Sequence, residues 1–193
     1  MPDRDVKTIK DQIFFQYAKI IACSAFGCAN GKEAKSKHYG FIKKTFRELQ
    51  SGKKSWSDIV REDKQFVQSD KKCIYCDGLE NLQWEHLVPK SININSRCKT
   101  CERILGIHNQ IWACSRCNGA GGKWNKGLYT FFKSRLSREK KFFDVIPPLA
   151  EKKYLKTIYY CHQCAGTLEN GDIDGDGLIT VLDLDYIISQ SLK

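Results

Sequence analysis

No apolar run in the chain approaches the roughly 18 residues that a membrane-spanning helix needs. The opening stretch, MPDRDVKTIKDQ, is charged and has no apolar core of the kind a secretory signal carries. Both absences lead to the expectation of a cytoplasmic protein with no membrane partner. Internal repeats and low-complexity segments are missing too, which excludes repeat arrays. Acidic residues are scarce, with 22 Asp and Glu against 32 Lys and Arg, for a net charge of +10. Six of those acids, against one base, fall in residues 166–193, so residues 1–165 hold 31 bases and 16 acids and carry +15. An excess of that size is the electrostatic footprint of a polyanion binder.

What is present starts with size and apolar content. The chain's 193 residues suffice for one compact core, or for one domain with an appended piece. Hydrophobic residues at 41%, ten of them phenylalanine, favour a globular fold. Ten cysteines in a cytoplasmic chain point to metal ligands more than to disulfides. Their spacing supports this. Four CxxC units occur, at Cys73/Cys76, Cys98/Cys101, Cys114/Cys117 and Cys161/Cys164, with a looser pair at Cys23/Cys28. Two thiolates separated by two residues grip one tetrahedral zinc, and two such knuckles complete a four-cysteine site.

Helical spacing of Ile9, Ile13, Tyr17, Ile20 and Ile21 predicts an amphipathic helix over residues 5–22. A second helix is expected from Glu33 to Leu49. A third is expected after Ser55, with Asp58 completing a capping box and Trp56, Ile59, Val60, Phe66 and Val67 turned inward. The segments LQWEHLV and NQIWAC are short apolar strands able to pair as a hairpin. Further helices are expected around 127–135 and 148–160, the latter opened by Pro148. The fold class expected is α+β, mostly α. Four regions follow: a helical region 1–71, a cysteine-rich core 72–134, a helical region with a knuckle pair 135–165, and an acidic tail 166–193.

Within the core, QWEHLVPKS sets Glu85 and His86 side by side on an apolar strand, where neighbours point to opposite faces. In order, the chain reads Cys-x2-Cys, Glu85-His86, Pro89, Asn109, and Cys-x2-Cys followed by Asn118. Over Cys73 to about Gly127 this resembles the HNH endonucleases, whose core is a β-hairpin and a helix around a metal. The resemblance implies that Glu85 and Asn118 bind Mg2+ or Mn2+ and that His86 is the general base. It also implies that Asn109 orients the base or the hairpin loop. The zinc of Cys73, Cys76, Cys114 and Cys117 would pin the hairpin's ends, with Cys117 and Asn118 leading into a helix. The chain departs from the family in carrying Glu85 where aspartate is commoner and in placing Lys123 beyond Gly121 and Gly122.

A second zinc is expected from Cys98/Cys101 with Cys161/Cys164, and Cys23/Cys28 is the rival partner pair. Basic and aromatic runs at Phe41–Arg47, Lys123–Arg135 and Ser137–Phe143 are candidates to line a path for double-stranded DNA. The expected activity is phosphodiester hydrolysis by a restriction-type enzyme, with a homing, mobile-element or phage nuclease as the alternative. Double-strand cleavage would call for a homodimer or two nicks. A non-catalytic zinc-dependent nucleic-acid-binding module is the rival from another class. A thiol-redox protein ranks below it, because its CxxC should open a helix in a βαβ unit.

The tail NGDIDGDGLITVLDLDYIISQSLK places Asp172, Asp174 and Asp176 at positions 1, 3 and 5 of a twelve-residue calcium loop. Leu178, Thr180 and Asp183 fall at positions 7, 9 and 12. With Asp at the last position, the loop resembles half of a dockerin module. Ca2+ is expected to order it and to dock the following helix through Leu182, Tyr186 and Ile187.

Overall fold

The computed structural model describes residues 3–27, 38–55, 70–92, 104, 106–136 and 146–191. Helix α1 (Ile9–Phe26) opens at Thr8, whose hydroxyl accepts from the Asp11 N–H, and stops at Gly27 in the left-handed region. It starts later than the expected residue 5 because Thr8 supplies the N-cap. Ile9, Ile13, Tyr17 and Ile20 are buried along it. Helix α2 (Tyr39–Gln50) packs on α1 through Ile42, Phe46 and Leu49, with Phe46 edge-on to Phe15 at 5.5 Å between ring centroids. The expected start of this helix at Glu33, and the helix expected after Ser55, lie outside the described residues.

Strands β1 (Leu82–His86) and β2 (Gln110–Cys114) form an antiparallel pair, in register from Leu82 opposite Cys114 to His86 opposite Gln110. A 3-10 turn at Ile107–Asn109 leads into β2, and the one-turn helix α3 (Ser115–Asn118) follows it. Cys117 and Asn118 close this helix instead of opening one. Glycines cause this: a Cβ at Gly122 would sit 2.1 Å from the Cys117 carbonyl oxygen, so the chain can fold back there only without a side chain. Helices α4 (Leu128–Leu136) and α5 (Pro148–Ala165) come next, with Pro148 in the first turn of α5 as expected and Gly166 as its left-handed C-cap. A 3-10 turn (Asp183–Asp185) and α6 (Tyr186–Ser191) end the described chain. The fold is α+β and mostly α, with one two-stranded sheet among the described residues.

The acidic tail is woven into the same core. Carbonyls of Asn170 and Leu168 accept from the Ile9 and Lys10 N–H groups at 2.8 and 2.9 Å, satisfying donors that the start of α1 leaves open. Asp185 accepts from the Thr130 N–H at 2.6 Å, capping α4, and from the Tyr154 hydroxyl on α5. Gly127 permits this approach, since a Cβ there would lie 2.1 Å from the Asp185 Cγ. The apolar contacts of the tail are Leu184, Ile187 and Ile188, which are buried, while Leu182 and Tyr186 are half-buried. Of the expected docking residues, Leu182 and Ile187 pack on the core while Tyr186 does not join it, and Leu184 and Ile188 are added to that face. Among the described residues no helix is long and apolar enough to cross a membrane.

Candidate functional site

The sulfurs of Cys73, Cys76, Cys114 and Cys117 all lie within 4.8 Å of one another, and Cys76 and Cys114 are 3.7 Å apart. Tetrahedral zinc with bonds of about 2.3 Å sets its sulfurs about 3.8 Å apart, so the cluster fits a four-thiolate structural metal such as zinc. Local backbone shapes it. The Cys73 N–H donates to the Gly78 carbonyl and the Asp77 N–H to the Cys73 carbonyl, both at 2.8 Å, with Asp77 in the left-handed region. The Ile74 N–H reaches the Trp112 carbonyl at 2.9 Å and so lays this knuckle on β2. Hydrogen bonding, first from Cys117, draws the Cys73 thiol down to about 4, while burial pushes the Cys76 thiol up. Cys114 ends β2 and Cys117 stands one turn into α3, so a metal here ties the hairpin's open end to the helix.

Asn109 fixes the other end. Fully buried, it accepts from the Val88 N–H at 2.8 Å and donates to the carbonyls of Val88 and Ile104 at 2.7 and 2.8 Å. The chain just after His86 is thereby held to the turn that enters β2, and the Leu87 N–H adds a bond to the Asn109 carbonyl at 2.9 Å. This is an anchoring geometry for the hairpin loop.

Glu85 and His86 leave β1 on opposite faces. Glu85 faces Ile111 and points inward, only 2% exposed, while His86 faces Gln110 and is half-buried. The Gln110 amide nitrogen lies 3.0 Å from His86 Nε2, and since an amide N–H can only donate, Nε2 accepts. Burial, reinforced by the positive charges of Lys90 and Lys123, holds His86 at about 4, so the imidazole is neutral at pH 7. On the inner face, the fully buried Lys123 ammonium sits 2.8 Å from Glu85 Oε1 and donates to the His86 carbonyl at 2.9 Å. Burial pushes the Glu85 carboxyl up and the Lys123 ammonium down, and their mutual attraction opposes both shifts.

Asn118 lies against the same strand, its Nδ2 3.5 Å from the Trp84 carbonyl, the limiting length for a hydrogen bond. The spacing from His86 to Asn118 does bring that residue to the Glu85–His86 strand. Glu85 Oε1 is buried and its partner is the Lys123 ammonium at 2.8 Å. Carboxylate and amide oxygens are hard donors of the kind Mg2+ and Mn2+ take, and here the Glu85 carboxylate is already paired with Lys123.

The remaining expected ligands are less gathered. Cys161 is a buried thiol outside any disulfide, whereas Cys164 and Cys23 are disulfide-bonded, and a disulfide sulfur offers no thiolate to a second zinc. Cys28, Cys98 and Cys101 lie outside the described residues. His162 is no ligand: it is buried, with Nδ1 2.8 Å from the Thr167 hydroxyl and Nε2 3.2 Å from the Leu184 carbonyl. In the tail, carboxylate oxygens of Asp172, Asp174 and Asp176 lie within 4.8 Å of one another, all exposed. Asp172 accepts from the Gly175 and Gly177 N–H groups, and buried Asp183 accepts from those of Ile173 and Thr180. Leu178 gives its N–H to Asp176 and is 52% exposed.

Of the basic residues considered for a DNA path, several hold the fold instead. Lys43 pairs with Asp3 and Asp5, Lys126 donates to the Gly122 carbonyl, and Lys123 is the buried partner of Glu85. Lys44, Arg47 and Lys53 line an open cleft beside α2. Sequence reasoning missed the roles of Gln110, Lys123 and Asp185. Gln110 was recoverable from hairpin register, which sets it opposite His86; the other two depend on contacts between distant segments. The chain matches no protein-family model, no curated protein and no solved structure.

Proposed function

We propose that the protein is a metal-dependent DNA endonuclease of the HNH type, acting in the cytoplasm on double-stranded DNA. The observation that carries this reading is one strand with a neutral His86 imidazole on its outer face and a buried Glu85 carboxylate on its inner face, with the Asn118 amide from the following helix against it. Phosphodiester hydrolysis needs a base for the attacking water and positive charge at the phosphate and the departing oxygen. His86 Nε2 is the base, taking a proton from a water that replaces the Gln110 amide. Gln110 marks the position that water takes, and the Lys123 bond to the His86 carbonyl fixes the backbone from which the imidazole projects. Mg2+ or Mn2+ held by Glu85 and Asn118 would supply Lewis-acid stabilisation of the phosphate. Asn109 positions the loop that carries the base, and zinc on Cys73, Cys76, Cys114 and Cys117 staples a hairpin too small to stand alone. A restriction-type enzyme suits a compact chain with one such site; a homing, mobile-element or phage nuclease is the alternative. A single site cuts one strand, so double-strand breaks imply a homodimer or sequential nicks.

One observation favours a second reading, a non-catalytic zinc-dependent nucleic-acid-binding module: Lys123 already neutralises Glu85. Nicking of supercoiled plasmid separates the two. The nuclease reading expects nicking with Mg2+ or Mn2+ and none when these are withheld from zinc-loaded protein. Binding without nicking under every divalent ion supports the module.

In the tail, Ca2+ is the cation the Asp172, Asp174 and Asp176 loop suits, with Leu178, Thr180 and Asp183 completing the series. Titration calorimetry tests this, and an affinity weaker than about 1 mM, the weak end for such loops, overturns it.

A further inference from the structure

We propose that the outward face of the hairpin is a stacking platform for an unpaired nucleobase, formed by Trp84 on Trp112 and placed beside His86. The proposal rests on the nuclease reading and adds to it that, within the DNA, an unpaired or frayed base and not an intact stacked pair occupies this face. Trp84 and Trp112 are cross-strand partners, their rings stacked with centroids 4.0 Å apart and planes 24° apart. The pair His86 and Gln110 is next but one in register, so both pairs occupy the same face of the sheet. Two residues along a strand span about 6.6 Å, so a base lying on Trp84 brings its own or the adjoining phosphate to His86.

Exposure and charge select the occupant. Trp84 remains 44% exposed although it is one of the largest apolar side chains in the chain. The Lys71 ammonium lies over the Trp112 ring, 5.3 Å from its centroid, and the chain carries a net charge of +10. An aromatic face beside a cation, on a chain of this charge, suits single-stranded nucleic acid, in which each base offers a π face and each linkage a negative charge. A duplex covers both faces of its bases with their neighbours. Single strands, mismatches and frayed ends expose one.

The test measures binding of the full-length, zinc-loaded protein, without added Mg2+ or Mn2+, to a labelled unstructured oligonucleotide and to the duplex of the same sequence. Trp84→Leu keeps the apolar cover and removes the ring. It is expected to weaken binding of the unpaired strand about tenfold or more and of the duplex less than about twofold, with Trp84→Phe recovering most of the loss. Equal losses on both substrates, or no loss, overturn the platform. If Trp84→Leu does not fold, wild-type tryptophan emission decides: quenching by the unpaired strand but not by the duplex supports it, and equal quenching overturns it. A wild type that nicks plasmid but shows no Trp84-dependent preference overturns the platform alone. One that binds unpaired strands through Trp84 and never nicks overturns the nuclease reading instead.

Discussion

Lys123 and Glu85 form an ion pair inside the protein, 2.8 Å between Nζ and Oε1, with the side chains 0% and 2% exposed. The lysine stands five positions beyond Asn118, after the glycine-rich turn, and from there reaches back to β1. It donates to the His86 carbonyl as well, so one ammonium fixes both members of the Glu-His pair.

Breaking this pair from one side leaves a buried, uncompensated charge, which costs about 3–5 kcal/mol. Lys123→Met should therefore lower stability to denaturant by about that amount at pH 7. The double variant Glu85→Gln with Lys123→Met should recover much of the loss, because no charge is left buried. Chemical denaturation of the wild type, both singles and the double gives the coupling. Additive losses would show that the two residues do not depend on each other.

Asn109→Ala removes three hydrogen bonds and leaves the Val88 N–H and two carbonyls without a partner. Each unsatisfied buried group costs about 1–3 kcal/mol, so a loss of about 3 kcal/mol or more is expected. The same variant should increase amide exchange at Leu87 and Val88. A shift below about 1 kcal/mol would mean that Asn109 does not anchor the loop.

Cys73→Ser and Cys114→Ser should each abolish zinc retention and unfold the hairpin, because structural zinc supplies folding energy directly. Elemental analysis should find about one zinc per chain from this site. Chelation should give the same loss of structure as either substitution. A metal-free chain with an intact hairpin would contradict this.

Acid should destabilise the protein through His162. Burial holds it at about 4, below its ordinary 6.5, so the unfolded chain binds its proton more readily. Stability associated with the neutral ring is fully present above about pH 6.5 and is lost as pH falls toward 4. Between pH 7 and pH 5 the loss is on the order of 2 kcal/mol. His162→Gln should reduce the slope of this part of the stability profile, leaving the share of His86, which burial also holds at about 4, as read by denaturant midpoints at both pH values. An unchanged profile in the variant would assign the acid sensitivity to other groups.

The parts of this architecture that were legible in the sequence are those encoded locally. Alternation in LQWEHLV and NQIWAC gave strands observed at Leu82–His86 and Gln110–Cys114, Pro148 opened its helix, and CxxC spacing gathered four sulfurs. What stayed hidden depends on distant contacts. Asp185 reads as one more acid in a solvated tail, yet it caps a helix through Thr130, 55 positions earlier. Lys123 reads as the start of a basic run beside a DNA path and is instead buried in the core. In the tail, the expected Leu182 and Ile187 do pack on the core, and what the pattern did not single out are Leu184, in the 3-10 turn at Asp183–Asp185, and Ile188.

The most direct measurement is plasmid nicking by purified, zinc-loaded His86→Ala beside the wild type, in Mg2+ and in Mn2+. A general base contributes at least about a hundredfold, so the variant should lose at least that much rate while keeping its zinc content and DNA affinity. Near-normal nicking by His86→Ala would contradict the account, since no other group on this face of the hairpin has been given the proton.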